Sequence, residues 1–481
     1  MGKKLADLNF TNRLFTRAPF LFSKVAPTPL SQASFLHINI NLLSRLGIDE
    51  YLVETQSFLR FCNGDLDFEG LFYGASVYSG HQFGYYNPKL GDGRAITLGE
   101  LKNEDENFFE LQLKGSGLTP FSRMGDGKAV LRSSVREYLA SAHLKALGIP
   151  TTEALMILKG EDDVYREEIE KSAVVLRVAE SFLRFGHFQY FFHNKRFDEL
   201  KILVDFSIEH YFSSYFGHPN QYVLFFQDVV KKTAKLFAQW HSVGFCHGVL
   251  NTDNMSLLGL TLDYGPYGFI ETFDRNFICN HSDHEGRYSY GNQPGIGYWN
   301  LEQFAKSLSH LISEEDLVRT LQSYPQIFSF EYKRLLYSKC GLTKIDENSE
   351  EFLNKTLSML DETKIDYTQF FRSLCYFRSA DKSLRSIEAS PALSQWILDY
   401  KEMLLKEDQE LSEVTRLEKM LQVNPKFILR NYLAQYAIED QSIMDQLFLV
   451  LSEPYKEWMQ FHDWSLPTPD KMKHISVSCS S

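Results

Sequence analysis

Two carboxylates and an amide lie close together in one stretch of the chain. Asp253 and Asn254 end His247-Gly-Val-Leu-Asn-Thr-Asp-Asn254, and Asp263 follows nine residues beyond Asn254, opening Asp263-Tyr-Gly265. The oxygens of Asn254 and Asp263 are suitable hard ligands for a divalent cation, and Asp253 beside them could serve as a general base. Upstream, Gly91-Asp-Gly93-Arg94 would let backbone N–H groups approach a phosphate while Arg94 adds charge, although a plain hairpin turn explains the same residues. Lys114 ends Glu110-Leu-Gln-Leu-Lys with its ammonium opposite the leucines, and Glu137 lies 23 residues further on. The two could form an ion pair or remain solvated and separate. Between them, Gly115-Ser-Gly117 and Gly125-Asp126-Gly127-Lys128 make a loop able to fold over a ligand, with Arg123 and Lys128 supplying positive charge; ordinary surface turns are the rival. Arg177 and Arg184 stand in an otherwise apolar stretch, 174–185, where an arginine needs an anion or a carboxylate. Glu180 is one candidate partner.

These groups need elements to hold them. The alternation of Glu110 to Lys114 predicts a half-buried strand. Leu131, Val135, Leu139, Ala142 and Ala146 recur at helical spacing before the stop signals Gly148 and Pro150, which predicts a helix of about four turns. Beyond residue 300 the periodicity is largely helical, and Asn424-Pro425 reads as a helix start, with Asn as cap and Pro in the first turn. Early strands with one helix, then helices, suggest an α+β chain with a small sheet-bearing lobe, a larger helical lobe and a ligand cleft between them.

Composition narrows the function classes. At 481 residues, about 150 per domain predicts about three units or one large bilobal enzyme. Hydrophobic residues at 44% and charged residues at 23% are ordinary globular values, which exclude wholesale disorder. A formal charge of −12 would repel a polyanion, so no nucleic-acid partner is expected. No apolar stretch reaches membrane-spanning length and residues 1–20 lack the apolar core of a signal peptide, so no membrane association and a cytoplasmic location are expected. The six cysteines, 62, 246, 279, 340, 375 and 479, show no C-x-x-C spacing and are expected as reduced thiols. Cys279, His281, Asp283 and His284 match no closed metal site and are expected to form a hydrogen-bonded loop.

The spacing from His247 to Asn254 resembles the kinase loop H-R-D-x-x-x-x-N, and Asp263-Tyr-Gly265 resembles D-F-G. Val249 stands where a kinase keeps its base, which argues against γ-phosphate transfer and leaves Asp253 as the replacement. With Tyr73-Gly-Ala-Ser-Val-Tyr-Ser-Gly-His-Gln-Phe-Gly84, Leu113-Lys-Gly-Ser-Gly117, Arg132-Ser-Ser-Val-Arg-Glu-Tyr138, His247 to Met255 and Asn424-Pro-Lys-Phe427, nearly the whole chain resembles the selenoprotein O family. These are protein adenylyltransferases on a protein-kinase-like bilobal fold, often first described as pseudokinases.

The resemblance implies an N-terminal extension over 1–70, an N-lobe over 71–175, a C-lobe over 176–330 and a helical C-terminal region over 331–481. It implies ATP bound in a flipped orientation, with AMP transferred to Ser, Thr or Tyr hydroxyls of proteins, the chain itself included, using Mg2+ or Mn2+; uridylyl transfer with manganese is a side activity of the same kind. Gly91, Gly93, Arg94, Lys114, Asp126, Gly127, Arg177, Arg184 and Asp263 would contact nucleotide, and Glu137 would orient Lys114. Asn254 and Asp263 would hold metal, and Asp253 would accept the hydroxyl proton. A monomer is expected. A kinase moving the γ-phosphate and a non-catalytic nucleotide-binding module are the alternatives. Many members of the family carry a selenocysteine or cysteine near the C-terminus. Here Cys479 fills that place, and a redox pair with Cys279 or two free thiols are the two readings.

Overall fold

The computed structural model describes residues 5–343, 347–377, 390–407, 412–475 and 477. Its main sheet is antiparallel and runs, edge to edge, through Phe22–Lys24, Gly74–Ser76, Ala95–Lys102, Phe108–Lys114, Ile169–Ala179, Glu153–Tyr165 and Ser34–Ile38. Leu111 lies opposite Val178, and Leu113 opposite Leu176. These four share one face and pack with Leu42, Leu43, Phe58 and Phe61 from the helices Ile40–Arg45 and Gln56–Cys62. On the other face, Gln112 stands opposite Arg177. Lys114, two residues on, shares that face because side chains alternate along a strand.

The Phe108–Lys114 strand therefore departs from the half-buried expectation. Its polar positions Glu110, Gln112 and Lys114 are buried along with its leucines. They lie beneath further protein, where each buried polar group needs a partner, and Glu110 finds Ser181 Oγ at 2.8 Å and the Phe182 N–H at 3.1 Å. Those bonds fix the turn that leads from the Arg177 strand to Arg184.

The predicted helix forms over Leu131–Ala146 and buries Val135, Leu139 and Leu144 against the sheet. Gly148, at φ +76°, ends it in the left-handed conformation that glycine adopts without penalty. From Gln293 to Ser452 the described segments are mostly helical. Asn424, however, stops a helix instead of starting one: Glu413–Val423 ends there and the next helix is Asn431–Glu439. Its amide is spent on the buried carbonyl of Lys339, 2.8 Å away, so it is not free to cap a downstream helix. The Asn431–Glu439 and Met444–Ser452 helices return to pack on Leu131–Ala146, with Phe448 stacked on Tyr138 at 5.4 Å and Arg136 Nη2 donating to Asn431 Oδ1 at 3.1 Å. The helix that carries Glu137 is thus held from both sides. The aromatic run Tyr190 to Phe192 belongs to the Phe185–His193 helix, where Phe191 is core. No helix among the described residues is long and apolar enough to cross a membrane.

Leu113→Ala removes a fully buried side chain from the strand that ends in Lys114. It is expected to lower the unfolding free energy by about 2–5 kcal/mol, read as a shifted urea midpoint with little change in slope.

Candidate active site

Lys114 extends from the end of its strand to Glu137 Oε2 on the Leu131–Ala146 helix. The other oxygen of Glu137 lies 3.1 Å from Arg177 Nε. Arg177, one strand over, reaches Gln112 Oε1 at 3.1 Å and Asp263 Oδ1 at 2.8 Å. Arg184 completes the arrangement by donating to Asp263 Oδ2 at 2.5 Å and to the Asp253 backbone carbonyl at 2.9 Å. Glu180 is partner to neither arginine; Asp263 and Glu137 are. Three buried cations thus face two carboxylates, and the Asp263 carboxyl is held well below the usual range by Arg184, Arg177 and Lys114 despite its partial burial. Asp263 adopts φ +53°, a left-handed backbone that asparagine and aspartate enter more readily than most residues other than glycine. That conformation lets its two oxygens meet two arginines from different elements.

Asp253 and Asn254 lie in a short helical turn, Thr252–Asn254. Asn254 Nδ2 donates to the Val249 carbonyl at 3.0 Å, which commits the amide nitrogen and leaves the oxygen for a ligand. Burial pushes the Asp253 carboxyl up to about 6, against the opposing pull of Arg184. His247 has no part in the cleft: its Nε2 is 2.8 Å from the Leu262 carbonyl, and burial lowers its pKa.

The glycine-rich segments close the opposite wall. A side chain on Gly91 would place its Cβ 2.4 Å from the Phe121 ring, and one on Gly93 would come within 2.9 Å of the Phe121 carbonyl. These glycines are thus required first by the loop lying on them. Ser76, Asp92 and His187 brace the turn. The Arg184 N–H donates to His187 Nδ1, so Nε2 carries the proton toward Ser76 Oγ at 3.0 Å, and Ser76 Oγ donates to Asp92 at 2.5 Å. Asp126 is gripped by both terminal nitrogens of Arg166, each at 2.9 Å, and its pKa is lowered by those bonds.

One cleft of about 520 Å³, within the range of small-molecule sites, is lined by Gly91, Gly93, Arg94, Lys114, Asp126, Gly127, Arg177, Arg184, Asp253, Asn254 and Asp263, with Glu137 behind Lys114. Arg166, Gln82 and Tyr78 line it too and had no assigned role from sequence. Arg166 sits on the turn between two long strands, 40 residues from Asp126, and no local pattern marks it. Gln82 lies inside the Tyr73 to Gly84 motif, which was a usable signal.

Cys279 is not at the cleft. Its thiol is buried and donates to the Cys246 carbonyl at 3.3 Å. Cys479 lies outside the described residues, and so does any pairing between them. Asp283 accepts the backbone N–H groups of Arg287 and Tyr288, at 3.0 and 2.7 Å, which makes its segment a hydrogen-bonded loop. No cluster of three or more His, Cys, Asp or Glu with metal-binding geometry occurs among the described residues.

The family model for SelO, protein adenylyltransferase SelO, matches residues 4–465. A protein from Azotobacter vinelandii named protein nucleotidyltransferase YdiU is 40% identical over 488 residues, spanning 100% of both chains. Proteins of the same name from Klebsiella pneumoniae subsp. pneumoniae and Pectobacterium atrosepticum are 41% and 42% identical, each over 98% of this chain and 100% and 99% of their own.

The raised pKa of Asp253 has a thermodynamic consequence. The folded chain binds this proton more tightly than the unfolded chain, so the group costs stability as pH rises from about 4 to about 6, and the full cost persists above. Asp253→Asn is expected to be more stable than wild type at pH 8 by up to about 3 kcal/mol, with the gap closing toward pH 4. Thermal unfolding at the two pH values checks it.

Proposed function

This chain belongs to the SelO family and is a protein nucleotidyltransferase, and from that premise we propose that it transfers AMP from ATP to Ser, Thr or Tyr hydroxyls of proteins, its own among them. The supporting observation is the joining, in one cleft, of a cationic group of Lys114, Arg177 and Arg184 with a buried carboxylate, Asp253, whose pKa is raised toward neutrality. A base poised near 7 suits removal of a hydroxyl proton. Val249, two residues after His247, offers no such group and is apolar.

In this reading the chain is kinase-like in architecture, but its nucleotide lies flipped, with the α-phosphate toward the acceptor. Asp253 takes the hydroxyl proton, the acceptor oxygen forms its bond to the α-phosphorus, and the bond from that phosphorus to the β-phosphate oxygen breaks, releasing pyrophosphate. Lys114, oriented by Glu137, and the two arginines neutralise the charge growing on the departing pyrophosphate. Arg94 and the Asp126-Gly127 loop border the remaining phosphates, with Arg166 fixing Asp126. The donor set fits a divalent cation, because among the described residues the Asn254 amide oxygen accepts no hydrogen bond, and the ionised Asp263 carboxylate keeps lone pairs beyond those taken by Arg177 and Arg184. Mg2+ or Mn2+ held there would screen phosphate charge and fix the triphosphate's orientation.

The test incubates purified protein with ATP and divalent metal, labelled in parallel at the α or the γ phosphate, and counts protein-bound label. Label from α alone is expected. Label from γ alone would make the chain a kinase, and none from either with ATP bound would favour a non-catalytic module. Asp253→Ala is expected to keep ATP affinity while transfer falls about 10²–10⁴-fold, whereas Lys114→Ala and Asp263→Ala should weaken nucleotide binding as well, measured by calorimetry.

A further inference from the structure

We infer that Gln82 is a positioning residue for the transfer reaction, orienting the Asp253 carboxylate from a hairpin whose Gly80 is kept small to admit it. The inference rests on the reading of Asp253 as the base. The hairpin pairs Gly80–Gln82 with Tyr85–Asn87. Its tip, Phe83 and Gly84, has φ +50° and +87°, the left-handed pair that matches strand twist in a tight turn.

Residues 80 and 82 face the same way along a strand, and both meet Asp253. A Cβ on Gly80 would stand 2.7 Å from Asp253 Oδ1 and 3.0 Å from its Cβ, so a methyl group there collides with the carboxylate. Gln82 Nε2 donates to Oδ2 at 3.2 Å. Among the described residues, Oδ1 is buried and takes no hydrogen bond from another residue, so Gln82 is the only side chain that bonds this carboxylate.

The intervening residues anchor the hairpin to the same loop. The His81 N–H donates to Thr252 Oγ1 at 2.7 Å, and Thr252 in turn to Gln189 Oε1 at 2.8 Å. The Phe83 N–H donates to the Tyr288 hydroxyl, which donates to Asn251 Oδ1, both at 2.7 Å. Backbone bonds to the neighbours of Asp253 thus hold Gln82 in place, and its amide is pre-aimed. A donor fixed on one carboxylate oxygen sets the plane of the group and so the direction in which the other oxygen faces.

Removing that donor therefore slows the transfer step without weakening ATP binding, a split that a general loosening of the cleft would not produce. Gln82→Met keeps length without the donor, and Gln82→Glu puts an acceptor where the donor was. The experiment measures kcat and KM for ATP in AMP transfer, with ATP affinity by calorimetry, in wild type, both variants and Asp253→Asn. In Gln82→Met kcat is expected to fall about tenfold because the carboxylate is no longer held toward the acceptor. KM for ATP should stay within about twofold, and Gln82→Glu should lose at least as much in kcat. Unchanged kcat in both variants, or a rise in KM that accounts for the loss, overturns the inference. If Asp253→Asn transfers AMP as wild type does, the base reading itself fails. If Asp253→Asn is inactive while both Gln82 variants keep the wild-type kcat, only the role of Gln82 falls.

Discussion

The partly exposed carboxylate of Asp263, at the floor of the cleft, is the constraint on which the rest of the structure depends. Arg177 and Arg184 are nearly inaccessible, at 2% each, and a buried guanidinium is tolerated only when paired. Both pair with Asp263, from a strand and from the residue that begins a helix. Lys114 and Glu137 extend the network to a second strand and a second helix. Strand register, the turn held by Glu110 and the left-handed backbone of Asp263 must all be right together, because removing any one leaves a charge without its partner.

The same network sets up chemistry. Its cations exceed its anions by one, three against two, and it borders a cleft. A polyanionic ligand would supply the missing negative charge. Asp253 stands apart from this excess: Arg184 binds its backbone carbonyl, while its side chain meets Gly80 and Gln82. Two carboxylates ten residues apart are thereby driven in opposite directions, Asp263 held ionised by three cations and Asp253 pushed toward neutrality by burial. Divergent environments of this kind push the protonation of two neighbouring carboxyls apart.

Much of the site was legible in the sequence because its residues occur in short, tightly spaced motifs whose partners are local: Asp253 with Asn254, and Gly91 with Gly93 and Arg94. The Leu131–Ala146 helix was legible from its apolar spacing and its glycine stop. Other features depended on contacts across the chain. Alternation in Glu110 to Lys114 showed two faces but not that protein covers both. Asn424 beside a proline has the chemistry of a helix cap, yet a carbonyl 85 residues away claims its amide. Glu180 was close in sequence to both arginines, but the strand and turn between them direct the guanidiniums to Asp263 instead.

Sequence by itself therefore determined which groups are available and, through its motifs, which family the chain belongs to, since residue type and local spacing fix donors, acceptors and periodicity. Only the tertiary structure decided the pairings. It set Lys114 against Glu137, Arg166 against Asp126 and Gln82 against Asp253, because each pair joins segments 23 to 171 residues apart and is brought together by sheet register and hairpin seating. The protonation behaviour of Asp253 has the same cause: burial and hydrogen bonding belong to the folded surroundings of a carboxyl group, and an aspartate has neither until the chain closes around it.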